Sequence, residues 1–299
     1  MVPLISVVVP TYNYGSFLFR ALDSVVNQRS SRIELIVVDD GSTDNTSSMM
    51  ANYRKDHPNL KYIRQENAGA ARARNVGIAQ SKGKYVLLLD ADDELMPDAL
   101  MHLETAVSDH PEAAVFLGGH ISVFPDGREK IHKPSVVMSS HPVEIARDYL
   151  LRKKITMSHC CTLFLRELLM QRPYPEHLQK GEDIPVFAYL LTAGRQIVSI
   201  SHELAKIHKH ADSLRHKKLG KEIPVDLMID EVFSYLPNEC QLLRNRYKAQ
   251  RLMSLGRQAL NSGDSDSARY FYYQGIRISP LQIIKGAHLR KFLRSLCTY

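Results

Sequence analysis

Tryptophan is absent from the 299 residues, and cysteine is scarce: Cys160, Cys161, Cys240 and Cys297 are the full complement. Two are adjacent and two scattered, which gives neither zinc-ligand spacing nor a disulfide framework. Reduced, partly buried thiols in the cytoplasm are the expectation. No apolar run approaches the roughly 18–20 residues that a membrane-spanning helix needs. The N-terminus leads straight into a short apolar strand, with no basic region and no small-residue cleavage site, so it does not read as a signal peptide. Two phosphate-binding fingerprints are also missing. Without a Gly-x-x-x-x-Gly-Lys-Ser/Thr loop, an NTPase has no support. Without a strand-to-helix Gly-x-Gly-x-x-Gly, the usual dinucleotide site is removed.

What is present is ordinary for a globular chain: 44% hydrophobic residues and 15 glycines. At roughly 100–200 residues per domain, the length allows one large domain with an appendage. The net charge is +7, and all of it lies late in the chain. From residue 216 onward there are 14 Lys and Arg against 7 Asp and Glu, so residues 1–215 are neutral overall. A basic C-terminal part fits an anionic partner, either a phosphate-bearing acceptor or a membrane surface, or is simply a solvated basic face. Nucleic acid is not expected as a partner.

The first half alternates strand and helix signals. Leu4–Pro10, Ile33–Val38, Leu60–Arg64 and Tyr85–Leu89 are short apolar runs suited to parallel strands buried on both faces. Between them, Phe17–Asn27, Thr43–Lys55 and Ala68–Gln80 read as helices, with Ser16 and then Ser42 or Asp44 as starts. Alternation of this kind predicts a doubly wound α/β sheet. Further on, Ala114–Phe124 reads as strand, Val143–Lys153 and Ile184–Ala193 as helices, and Ile197–Ile200 as a short strand. From about residue 222 the pattern is helical. Polar residues gather just after the strands: Thr11-Tyr12-Asn13, Asp39-Asp40-Gly41 and Asp90-Ala91-Asp92-Asp93. Ligands of open α/β sheets bind beyond the carboxyl ends of strands, so three such loops at one edge predict a single site.

Asp90 and Asp92 follow a buried strand, where two carboxylates are strongly disfavoured without a cation. Hard oxygen ligands suit magnesium or manganese. A diphosphate leaving group needs its charge neutralised, which a metal does. Carboxylates after a strand also serve as helix caps, the role expected for Asp93 and Asp98.

Four runs in order widen this reading: SVVVPTYN (Ser6–Asn13), ELIVVDDGSTDNT (Glu34–Thr46), ENAGAARARNVGIAQSKGKYVLLLDADD (Glu66–Asp93) and GED (Gly181–Asp183). Together they closely resemble family 2 glycosyltransferases, over about the first 215 residues. The resemblance implies an A-type glycosyltransferase fold, a Rossmann-like nucleotide-binding sheet with an acceptor subdomain. It implies sugar transfer with anomeric inversion from a nucleotide sugar, with a UDP-sugar the donor expected, to a glycan or lipid-linked glycan acceptor of a bacterial surface. By the same resemblance, Pro10, Tyr12 and Asp40 hold the base, Asp90 lies near ribose and metal, and Asp92 is a direct ligand of Mn2+ or Mg2+. Arg74 matches a basic position near donor or carboxylates; an ion pair with Asp40 or Asp90 is the structural alternative. Asp183 matches the general base, with Glu182 orienting the site or touching the acceptor. Acids at a helix start are also favoured by the helix dipole, and Pro185 suits a first turn. In KHADSLRH (Lys209–His216), His210 matches a position that completes the metal site or touches the diphosphate. One family element is missing. Processive members carry a Gln-x-x-Arg-Trp motif, and a chain without tryptophan is expected to add single sugars.

The division expected is a catalytic domain over residues 1–220 and a helical extension over 221–299. Within the extension, Tyr247–Pro280 resembles one tetratricopeptide unit, or is an ordinary helical hairpin packed on the catalytic domain. A single repeat cannot bury its own face. Leu281–Leu296 has the pattern of a basic amphipathic helix, suited to an anionic membrane or to packing on the protein itself. The location expected is the cytoplasm, with peripheral contact at the inner face of the membrane. Two other classes fit the sequence less well. A sugar nucleotidyltransferase needs a glycine-rich phosphate loop that Pro10–Gly15 does not resemble. A catalytically silent binding module sits poorly with Asp92 and Asp183.

Overall fold

The computed structural model describes residues 2–178, 180–210 and 225–280. The chain opens with three strand–helix pairs: β1 (Ile5–Thr11), α1 (Gly15–Val26), β2 (Ile33–Asp39), α2 (Thr46–Asp56), β3 (Lys61–Arg64) and α3 (Ala70–Gln80). Then come β4 (Tyr85–Leu88), β5 (Glu94–Leu95), α4 (Ala99–Asp109), β6 (Val115–Val123) and β7 (Glu129–His132). A short α5 (Pro142–Ala146) leads into a wide π-turn over Arg147–Arg152, followed by β8 (Thr162–Leu165) and α6 (Arg166–Gln171). The chain continues with α7 (Asp183–Thr192), β9 (Ile197–His208), α8 (Val225–Phe233), α9 (Arg244–Asn261) and α10 (Ser265–Ile278).

The strands form one sheet in the order β3-β2-β1-β4-β8-β6-β9-β5, with β7 added on β6. β3, β2, β1 and β4 run parallel, whereas β8 is antiparallel to both β4 and β6. The chain leaves β1 toward β2 and β3 and returns to its other side as β4. That reversal is the switch point at which α/β sheets bind ligands.

The sheet's apolar strands divide their side chains between two cores. Ile5, Val7, Val9, Leu35, Val37, Tyr85 and Leu87 pack under α1, α2 and α4. Val8, Ile36, Val38, Val86 and Leu88 pack on the opposite face beneath α3. That second core continues without a break through Val186 and Phe187 of α7, Ile229 and Phe233 of α8, and Tyr247 and Leu252 of α9. The C-terminal helices therefore share the core of the sheet. Arg172 fastens the junction: it is buried, donates to the Glu231 carboxylate at 2.7 Å, and stacks over Tyr235. The repeat-like pattern over Tyr247–Pro280 is the α9–α10 hairpin, in which Gly256 faces the Tyr272 ring.

Several local expectations change. The strand expected over Ile197–Ile200 runs on to His208, because its polar residues occupy a water-facing side while Leu204, Ala205 and Ile207 are buried. The helix expected over Val143–Lys153 widens after one turn into the π-turn and stops at Lys153, whose φ is 56°. Helix α1 begins at Gly15, with Tyr14 and not Ser16 at the cap. Asp98 precedes α4 but makes no capping bond, and Asp93 caps nothing: it accepts the His208 main-chain N–H at 2.9 Å. Cys160, Cys161 and Cys240 are free buried thiols. Cys297 and the basic segment Leu281–Leu296 lie outside the described residues. No helix among the described residues is long and apolar enough to cross a membrane.

Candidate functional site

Asp39 and Asp40 end β2 with different duties. Asp39 is fully buried; its carboxylate accepts from Ser42 N–H at 2.8 Å and from the Tyr62 hydroxyl at 2.5 Å. Burial, then that bond to Asp39, pushes the Tyr62 phenol up to about 12. Asp40 faces the start of α3. It accepts Gln65 Nε2 at 2.7 Å and Ala68 N–H at 3.0 Å on one oxygen, and Gly69 N–H at 2.8 Å on the other. A carboxylate offers about four lone-pair sites, so Asp40 retains one. Gly41 makes this turn at φ 77°, where a Cβ would meet Asn67 N at 2.8 Å.

Asp40 N–H donates to Thr11 O at 2.9 Å, which sets the β1 and β2 loops side by side. Asn13, at φ 56°, stitches them further: its Oδ1 accepts from Thr43 N–H at 2.7 Å. Pro10 is part of β1 and pairs with Val38. Tyr12 projects beside Asp40's loop with 42% of its surface exposed, a large aromatic face turned to water.

Asp90, Asp92 and Asp93 follow β4. Arg74 of α3 reaches them from below. Its side chain is only 8% exposed, and it donates to Asp90 Oδ1 at 3.1 Å and to Glu182 Oε1 at 2.8 Å. These partners lie 16 and 108 residues away in sequence. Burial works against the Arg74 charge, and Asp90 and Glu182 overcome it, so its pKa stands above the ordinary arginine value. The Tyr174 ring lies 5.6 Å under the guanidinium, and Asn75 holds the Tyr174 main chain at 2.8 and 2.9 Å. Of the two carboxylates weighed as Arg74 partners, Asp90 is used, and Glu182 takes the second place.

Asp92 Oδ2 lies 2.7 Å from His210 Nε2. Phe17 stacks on the His210 ring at 5.7 Å, and Tyr14 meets its edge at 6.1 Å. The imidazole Nδ1 is buried with no partner among the described residues. Arg20 of α1 donates to the Asp92 main-chain oxygen. One and two turns on, Ser24 accepts from Leu95 N–H, and Gln28 brackets Met96 O and Leu100 N–H. Arg20 and Ser24 on one face of α1, with Gln28 just past its end, fix the loop after β4. Burial, then the charges of Asp90 and Asp92, push Asp93 up to about 8.

Asp183 begins α7 directly after Glu182. Its side chain is half-buried. Burial and the Glu182 charge raise its carboxyl above the ordinary aspartate value, while Arg74 pulls it down. The Asp183 charge is felt across a ring of neighbours. Burial pushes Tyr247 up to about 12, with Arg251 opposing and Asp183 adding to the shift. Lys153 is lowered by burial and by Arg251, with Asp183 opposing.

One sheet edge thus holds Tyr12, Asp40, Asp90, Asp92 and His210, and Arg74 ties that edge to Glu182 and Asp183. Sequence reasoning missed Asn13, Arg20, Tyr174 and Asn75. The i, i+4, i+8 spacing of Arg20, Ser24 and Gln28 was the available signal for Arg20. No group of three His, Cys, Asp or Glu side chains among the described residues forms a ready metal cage. Asp92 and His210 make a two-residue donor set, which fits a cation that carries phosphate and water ligands of its own. A cavity of about 600 Å³ lies elsewhere, between Leu168, Tyr189, Tyr235 and Pro237, and no candidate residue lines it.

The fold and this edge define the A-type glycosyltransferase class. Residues 6–172 match the family described as glycosyl transferase family 2. The chain belongs to that family. It is 29% identical over 223 residues to the hyaluronan synthase of Pasteurella multocida, covering 73% of this chain and 22% of the synthase. The chain covers between 14% and 40% of the length of four of its curated relatives. Among solved structures, Staphylococcus aureus TarS 1-349 in complex with UDP-GlcNAc superposes with a TM-score of 0.70 at 20% identity, over 98% of this chain and 89% of that one. The mannosyltransferase PcManGT from Pyrobaculum calidifontis, in complex with GDP-Man and Mn2+, gives 0.51 at 17% identity, over 100% and 81%.

Proposed function

We propose that the protein transfers a sugar, with inversion, from a UDP-sugar to a hydroxyl of a glycan or lipid-linked glycan acceptor, assisted by Mn2+ or Mg2+. The observation that carries this reading is the Arg74 bridge between Asp90 and Glu182. It joins the loop suited to a nucleotide diphosphate with the helix start that bears Asp183.

Each residue has a task in this reading. Tyr12 stacks on the base, and the unused lone pair of Asp40 accepts its ring N–H. Pro10 shapes the strand end on which both stand. Asp90, held by Arg74, faces the ribose side. Asp92 and His210 would hold the cation, whose charge would offset that of the diphosphate leaving group. Asp183 takes the proton from the acceptor hydroxyl. The acceptor oxygen forms its bond to the anomeric carbon while the carbon–oxygen bond to UDP breaks on the opposite face. One base is enough, and its raised pKa makes this carboxylate a stronger proton acceptor than an exposed aspartate. Glu182 keeps Arg74 and Asp183 in register. Hyaluronan synthase among the relatives, and UDP-GlcNAc and Mn2+ in similarly folded proteins, support the donor, cation and glycan assignments. In the same reading, residues 1–220 form the catalytic domain, and the basic residues of 281–299 bring the enzyme to an anionic membrane.

The test is a panel of nucleotide sugars and oligosaccharide acceptors, read as UDP release, with and without chelator. Manganese-dependent UDP release and a product of inverted anomeric configuration by NMR are expected. Retained configuration would overturn the single-displacement reading.

A further inference from the structure

Helix α9 carries two polar groups that the fold leaves without use. The Tyr247 side chain is 1% exposed, and its hydroxyl has no hydrogen-bond partner among the described residues. Arg251 lies one turn further on the same face, and its buried Nε is likewise unpartnered. Leaving a buried donor unpaired costs on the order of 1–3 kcal/mol, so two on one face call for an explanation. The face points at the π-turn: Gln250 Nε2 donates to Leu151 O at 3.1 Å. At the end of that turn is Lys153, in left-handed conformation, its Nζ 6.0 Å from the Tyr149 ring. Neither Lys153 nor Arg251 has an ion pair among the described residues, although Arg172, Arg74 and Lys248 all do. Burial and then the Arg251 charge lower the Lys153 ammonium, and Asp183 is the carboxylate that acts on both Lys153 and Tyr247.

We propose that the junction between the π-turn and α9 is the acceptor subsite, where Tyr247, Arg251 and Lys153 bind an oxyanion, phosphate or carboxylate, carried by the acceptor glycan. This rests on Asp183 being the base, because the subsite then delivers a hydroxyl to it. Guanidinium, ammonium and phenol groups are the donors that recognise such an anion, and α9 and the π-turn bring them to one junction. A neutral sugar would leave the buried Arg251 Nε without a charged acceptor. The C-terminal hairpin is, on this view, part of the catalytic machinery and sets acceptor choice.

The test uses the full chain saturated with UDP, so that the donor site is filled, and calorimetry with three probes. These are a glycerol-phosphate oligomer, a hyaluronan oligosaccharide and a neutral malto-oligosaccharide of equal length. The wild type should bind one charged probe at least about tenfold more tightly than the neutral one. Which charged probe it prefers separates phosphate from carboxylate. Arg251→Gln combined with Lys153→Gln should abolish the preference, and Arg251→Lys should retain most of it. Tyr247→Phe should weaken charged-probe binding without lowering Tm, because its hydroxyl has no bond to lose. Equal binding of all three probes by the wild type overturns the proposal, as does a preference that survives the double substitution. Asp183→Asn should keep the preference while losing transfer. If it keeps both, the base assignment fails alone; if the preference is missing while Asp183→Asn abolishes transfer, the subsite fails alone.

Discussion

Asp40 is tied into the fold before it meets a ligand. Three donors already use its carboxylate, two of them main-chain N–H groups at the entry to α3. Asp40→Asn replaces one accepting oxygen with a donor that faces donors. It should therefore cost about 1–3 kcal/mol of stability, read as a lower denaturant midpoint, besides weakening UDP binding. Asp92 has a single ligand-side partner, His210, and no comparable structural load. Asp92→Ala should leave the midpoint nearly unchanged and remove the manganese dependence of UDP affinity in calorimetry. The Asp-x-Asp triplet was legible because two carboxylates after an apolar strand demand an explanation. The pairing of Arg74 with Glu182 was not, since a partner 108 residues away leaves no local pattern. Asn13 and Tyr174 act through main-chain bonds and ring packing, which residue type alone does not announce.

At the scale of elements, α3 sits where it does because Gly77 lets it. A Cβ there would come within 2.2 Å of Val8 Cγ1 on β1. Gly77→Ala must push the helix from the sheet, and Arg74 moves with it. A loss of about 1–3 kcal/mol in chemical denaturation is expected, with transfer falling further than stability explains. The parallel strands and their helices were readable from apolar runs and turn residues, since β1, β2 and β4 are buried on both faces. The second half was harder. β9 hides polar residues on a wet face, and the π-turn carries a helical pattern whose width only packing decides. The location of α9 against the π-turn depends on tertiary contacts alone.

At the scale of the molecule, charge and proton balance decide two outcomes. All the surplus positive charge lies beyond residue 215. A chain cut before Leu281 loses Lys285, Arg290, Lys291 and Arg294, and should sediment with anionic vesicles less than the full chain does. Equal sedimentation would assign the contact to another surface. The pH dependence follows from Asp183. Its carboxyl is raised above the ordinary value, so it holds its proton to a higher pH than an exposed aspartate. As a base it must be ionised, so kcat/KM should fall as pH drops through that raised value, ahead of any acid unfolding. The same shift has a stability sign: the fold favours the neutral carboxyl, and this contribution is lost as pH rises through the folded pKa. Asn at that position stays neutral throughout. The most direct measurement of the account is therefore Asp183→Asn at neutral pH, followed by transfer rate, UDP affinity and Tm together. Transfer should fall by about 10²–10⁴-fold while UDP affinity is unchanged and Tm holds or rises. Near-normal transfer, or loss of UDP binding in its place, would contradict the role of Asp183 and with it the proposed mechanism.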